Sequence, residues 1–205
     1  MTMTSKLTTL ALAALLAGGV GASVAQAADP AAGVIDSFNS SLIEAMKSGK
    51  SSGAEGRFSK LVPAVERTFD LPTMTRFAVG SAWSGYSAAD QASLIKAFTR
   101  LTAANFAHNF SSYDGEQFKI TPEVQTRGLD KLVRSQIISR SGTTNDLNYR
   151  MRLVSSGGWK VIDVYFGSVS QLTAQRSDFA STLSSGGAAA LVQKMNAKSD
   201  SLLKG

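Results

Sequence analysis

The stretch FDLPTMTRFAVGSAWSGYSAADQASLIKAFTRLTAANFAHNFSSYDG, residues 69–115, decides how the chain folds. It opens with closely spaced signals, Phe69-Asp70-Leu71, Met74, Arg76, Gly80 and Trp83, and then becomes one long helix. Ser87 is placed to cap that helix, and Asp90, three residues on, answers its free backbone amides. Gly115 is the expected stop. Leu94, Phe98 and Leu101 form one apolar stripe, and Ile95, Thr102, Phe106 and Phe110 form a second about a quarter turn away. A helix apolar on two sides has to be covered on two sides. The rest of the chain, or a ligand, must supply the covers.

Upstream, Ala31 to Ser48 is amphipathic, with Val34, Ile35, Phe38, Leu42, Ala45 and Met46 on one helical face. Ser48-Gly49-Lys50-Ser51-Ser52-Gly53 interrupts it. A further helical stretch runs from Arg57 to Phe69, and Pro63 is expected to kink or divide it. Downstream of Gly115 the period changes to alternation. Phe118, Ile120 and Val124 suggest a strand bent at Pro122, and Leu132 to Ser139 a second. Asn145 to Val154 and Trp159 to Phe166 form the clearest pair, joined as a hairpin by Ser155-Ser156-Gly157-Gly158. Leu147, Tyr149, Met151 and Leu153 alternate with Asn148, Arg150 and Arg152, so one sheet face is apolar and the other wet. From Ser170 the chain returns to helix, interrupted at Gly186-Gly187, and Lys198 to Gly205 is expected to fray. The reading is α+β: a helical N-terminal half, an antiparallel sheet of about four strands, and a C-terminal helix.

Residues 1–27 read as a cleaved secretory signal peptide: Lys6, a short apolar core from Leu7 to Val20, and the small-x-small site Ala25-Gln26-Ala27. The remaining 28–197 suit a single domain, and the address is the periplasm. The chain has no cysteine, which excludes disulfides, thiolate chemistry and a lipidated anchor. Without Lys6, 20 basic residues face 15 acidic ones, a moderate charge of +5 suited either to anionic headgroups or to a solvated basic face. Nothing resembles a nucleic-acid module.

Little here promises catalysis. Gly49-Lys50-Ser51 imitates the end of a phosphate loop without its leading glycine or its strand. His108 is the only histidine, so a zinc site has no second nitrogen ligand, and the G-x-S-x-G of a hydrolase elbow is absent. Asp163 interrupts the apolar strand WKVIDVYF. It is either a general base on an enclosed sheet face or a structural carboxylate that pairs with an arginine or caps a nearby helix.

The pattern F-D-x-x-x-M-x-R-x-x-x-G-x-x-W at 69–83, with the Ser87-capped helix carrying Phe98, Phe106 and Tyr113, resembles the toluene-tolerance family. That family contains the Mla-pathway periplasmic phospholipid carrier and a hopanoid-associated branch. A second block supports the resemblance: Gly158-Trp159-Lys160-Val161-Ile162-Asp163-Val164, then Val169-Ser170, Arg176, Phe179 and Leu183. Ser168 stands where the family has glycine, and the run at 174–179 looks closer to the hopanoid branch. The resemblance implies a nuclear-transport-factor-like sheet wrapped by helices around an apolar pocket. It also implies a monomeric, non-catalytic shuttle without metal or cofactor. Such a shuttle carries a phospholipid or hopanoid between an inner-membrane transporter complex and an outer-membrane lipoprotein or porin complex.

For that pocket, alternation and helical spacing nominate the strand positions Tyr149, Met151, Leu153, Trp159 and Val161, facing Phe98, Leu101 and Phe106. Arg76 or Arg176 is placed to meet a phosphate, or else to form a structural ion pair. Two other classes fit the residues: an enzyme of the same fold using Asp163 as base, and a peptidoglycan- or partner-binding module without a cavity.

Overall fold

Helix gives way to sheet where the hydrophobic period changes. The computed structural model describes residues 29–204, and the expected signal peptide, residues 1–27, lies outside them. Helix α1 (Pro30–Thr68) is capped by Asp29, whose carboxylate accepts from the Ala31 amide at 2.9 Å, with Pro30 in the first turn. The expected interruption is local. Gly49 and Gly53 depart from helical geometry at φ 51° and 60°, a region that glycine enters without steric cost. Pro63 lies inside the helix, and the dihedral angles stay helical there.

Phe69-Asp70 joins the helical half to the sheet: the Asp70 amide donates to the Val161 carbonyl at 2.9 Å. Asp70 also caps α2 (Leu71–Val79) through the Thr73 amide at 3.2 Å. A single 3-10 segment (Gly80–Gly85) leads to α3 (Ala88–Asn109), where the Ser87 hydroxyl accepts from the Asp90 amide at 3.1 Å. This helix ends six residues short of Gly115. Phe110 leaves helical geometry there, and its ring sits between Phe106, at 5.9 Å, and Phe118, at 6.0 Å.

The sheet is antiparallel throughout. It comprises β1 (Gln117–Ile120), β2 (Gln125–Arg127), β3 (Asp130–Val133), β4 (Ser135–Ile138), β5 (Thr144–Leu153), β6 (Trp159–Phe166) and β7 (Val169–Ser170). β3 and β4 lie end to end along one edge of β5, β1 and β2 lie beyond them, and β6 pairs with the other edge. The first six strands therefore make four rows, with interruptions near Pro122 and at Arg134, and the two-residue β7 pairs with the far edge of β6.

On the apolar face Leu147, Tyr149, Met151 and Val161 are fully buried. On the other face Asp130 accepts from the Arg152 Nε at 2.6 Å and the Arg150 Nε at 2.7 Å. Burial alone would push the Asp130 carboxyl up, but these bonds hold it below the usual carboxylate range.

Helix α4 (Gln171–Leu203) closes the fold, broken at Gly187 as expected (φ 63°). The frayed tail is a correction: the chain is helical to Leu203, with Ser199, Leu202 and Leu203 buried. Leu202 and Leu203 supply the apolar contact, the Leu202 carbonyl lies 3.3 Å from the His108 Nδ1, and Arg100 pairs with Asp200 at 2.7 Å. The only histidine thus sits exposed beside the tail.

Candidate functional site

A cleft of about 340 Å³ opens between α2, α3, α4 and β6. Its floor is apolar: Phe69, Leu101, Phe106, Phe110, Leu172 and Phe179, with Met74 and Val164 beside them. Its rim is polar, with Asn105, Asn109, Gln171, Gln175 and Asp178 around one lysine, Lys198. Asp178 is paired to Lys194 at 2.8 Å, whereas Lys198 has no carboxylate partner among the described residues. Such a cleft takes an apolar body and leaves a polar end at the water boundary.

The opening motif builds this wall. Met74 of α2 borders the cleft, and Phe69 makes edge-to-face contact with Phe38 at 5.1 Å. Gly80 has φ 72°, and a Cβ there would stand 3.3 Å from the Arg176 guanidinium. Glycine lets α4 approach α2 at this point, where the guanidinium stacks on Phe77 at 5.1 Å. Arg176 therefore joins two helices by stacking, and neither it nor the exposed Arg76 borders the cleft.

Of the eight residues nominated for a pocket, Leu101 and Phe106 border this cleft. Phe98 is buried behind it, edge-on to Phe179 at 6.5 Å. Tyr149, Met151 and Val161 are fully buried beneath the helices, with Tyr149 opposite the cleft residue Val164. Trp159 is half-buried under the Lys131 ammonium at 4.5 Å, and Leu153, 57% exposed, stands at the end of its strand outside the apolar layer. Sequence reasoning missed Lys198 because it lay in the supposed frayed tail. It missed Leu172 and Phe179 as site residues because the helical spacing of α4 does not say which neighbour its apolar side meets.

Asp163 has structural work. The β5–β6 register slips between Arg150 and Met151, leaving Ile162 without a partner and setting Asp163 opposite Arg150 instead of on the face of Val161. Its carboxylate accepts from the Ser170 hydroxyl at 2.6 Å and from the Leu172 amide at 3.2 Å, fixing the start of α4. It does not border the cleft. Among the described residues no group of three or more His, Cys, Asp or Glu is placed to hold a metal, and no helix is long and apolar enough to cross a membrane.

An antiparallel sheet roofed by helices, with a cleft that is apolar within and polar at its rim, defines an α+β protein with a pocket between its sheet and its helices. Within that class the chain belongs to the MlaC protein family, whose family model matches residues 36–197. Among solved structures it is similar to the phospholipid-binding protein from Ralstonia solanacearum in complex with a phospholipid. The two are 20% identical with a TM-score of 0.73, over 85% of this chain and 99% of the other. No curated protein matches.

Proposed function

We propose that this protein is a periplasmic lipid carrier. It takes a phospholipid, or a hopanoid, by its apolar body into the cleft and keeps the polar end near Lys198, Asn109 and Gln175. It then passes the lipid between an inner-membrane transporter complex and an outer-membrane lipoprotein or porin complex. The observation that carries this reading is the cleft itself, apolar within and polar at the rim, in a chain whose structural relative is described as binding a phospholipid.

The energetics suit a shuttle. Burying two acyl chains of about thirty methylenes in all is worth roughly 24 kcal/mol at ~0.8 kcal/mol each. The gain is similar in a bilayer and in a pocket, so exchange with a membrane partner runs near balance while escape to water is heavily opposed. No bond is made or broken, and no catalytic residue is required.

The test is purification of the protein from periplasm without detergent, followed by native mass spectrometry and organic extraction. One lipid per chain is the expected result, and it names the cargo. An empty protein that also takes no lipid from vesicles overturns the carrier. Ala174→Trp, at an exposed cleft position, is expected to lower lipid occupancy at least about tenfold while the melting temperature stays unchanged.

A further inference from the structure

The cleft's rim includes an apolar hairpin. Phe166 and Val169 are cross-strand partners, joined by Gly167 and Ser168, and are 39% and 57% exposed. Gly167 has φ 57°, which lets the turn close tightly. Phe166 also borders the cleft, so one side chain belongs both to the pocket and to the surface.

The other flank of the hairpin is basic. Gly167 and Ser168 border a second cleft, about 630 Å³, on the polar side of the sheet, lined by Arg127, Lys131, Arg134 and Arg150 with Asp130 as its one carboxylate. Arg150 is taken up by Asp130 at 2.5 Å, and Lys131 by Asp29 at 2.5 Å. Arg127 donates only to its neighbour Gln125, at 3.3 Å, and Arg134 makes no side-chain hydrogen bond or ion pair among the described residues. Arg127 and Arg134 thus present exposed guanidinium groups on the polar face of the sheet, across the hairpin from Phe166 and Val169, which share the helix-covered face with Leu147.

We propose that the β6–β7 hairpin and this basic cleft form a docking surface for an anionic lipid bilayer. Two apolar side chains fall far short of the roughly 1,200 Å² a stable protein interface buries. They suit shallow insertion among headgroups, with phosphates met by the forked donors of Arg127 and Arg134. Docking in this orientation sets the mouth of the lipid cleft against the headgroup layer. An acyl chain then passes along Phe166 to Leu172 and Phe110 without crossing water. The purpose of the surface rests on the carrier reading; its existence does not.

The experiment is flotation of the protein, purified from cells expressing the full chain, with vesicles of phosphatidylglycerol mixed into phosphatidylcholine and with phosphatidylcholine alone. The wild type is expected to float with the anionic vesicles and only weakly with the neutral ones. The Arg127→Glu/Arg134→Glu double variant is expected to lose about twenty-five-fold or more of its partition, roughly fivefold for each cation removed. Val169→Asp is expected to lose partition while keeping its melting temperature. Should Val169→Asp fail to fold, Arg134→Glu alone carries the test, since Arg134 is exposed and unpaired. Equal binding to both vesicle types, wild-type binding by the variants, or binding only to vesicles that contain a membrane protein overturns the proposal. A lipid-loaded protein that does not float defeats the docking surface and leaves the carrier; a protein that floats yet never holds lipid does the reverse.

Discussion

Two helical covers lie on the apolar face of one sheet, and they finish differently. Beneath α1 the space is filled. Phe38, at 1% exposure, packs edge-on against Phe106 at 5.0 Å and Tyr149 at 6.3 Å, while Met151 and Val161 are wholly enclosed. Between α3, α4 and β6 a cleft of about 340 Å³ stays open, though its walls are of the same kind, phenylalanine and leucine. Residue type therefore does not distinguish the two sides. What α3 meets on each side does: the Ala107 carbonyl accepts from the Arg57 Nε of α1 at 2.9 Å and Phe106 packs on Phe38, whereas Leu101 and one side of Phe106 border the cleft.

The largest expected effect tests whether the α1 side is a packed core. Phe38→Ala is expected to cost about 3–5 kcal/mol, since it removes the ring at the centre of the aromatic cluster and leaves a void. Urea denaturation measures it, and a cost below about 1 kcal/mol means that the α1 side is loose too and the contrast fails. A middle-sized effect separates structure from chemistry at Asp163. Asp163→Asn weakens the bonds to Ser170 and Leu172 and is expected to cost about 2 kcal/mol, with lipid retention unchanged. Loss of a turnover without loss of stability would instead mark a general base.

How much of this was legible follows from what alternation and helical spacing encode. They encode which side of an element is apolar, so the Ser87 cap, the doubly apolar α3 and the four sheet rows were readable in advance. They do not encode what an apolar side meets. Met151 and Phe106 look equivalent in the sequence, yet Met151 lies wholly in the core and Phe106 borders the cleft. The register slip at Ile162 was also invisible, because a bulge resets the alternation without any glycine or proline to announce it. The helical tail was missed for a related reason: Asp200 and Leu202 meet Arg100 and His108 of α3, about a hundred residues away in sequence, and local propensity does not report such contacts.

The smallest effect bears on the boundary between the two covers. The Tyr149 hydroxyl is fully buried and has no hydrogen-bond partner among the described residues, and burial pushes its pKa strongly upward. A buried, unpaired hydroxyl costs about 1–3 kcal/mol of desolvation. Tyr149→Phe keeps the ring that packs on Phe38 and removes only the oxygen, so it is expected to raise stability by about 1 kcal/mol, read as a higher urea midpoint at unchanged slope. If the α1 side is closed in every state, lipid retention stays the same. If retention falls while stability rises, the hydroxyl meets the ligand in the loaded protein. Tyr149 lies across the strand from Val164, a cleft residue, so the site would then extend inward beneath α1.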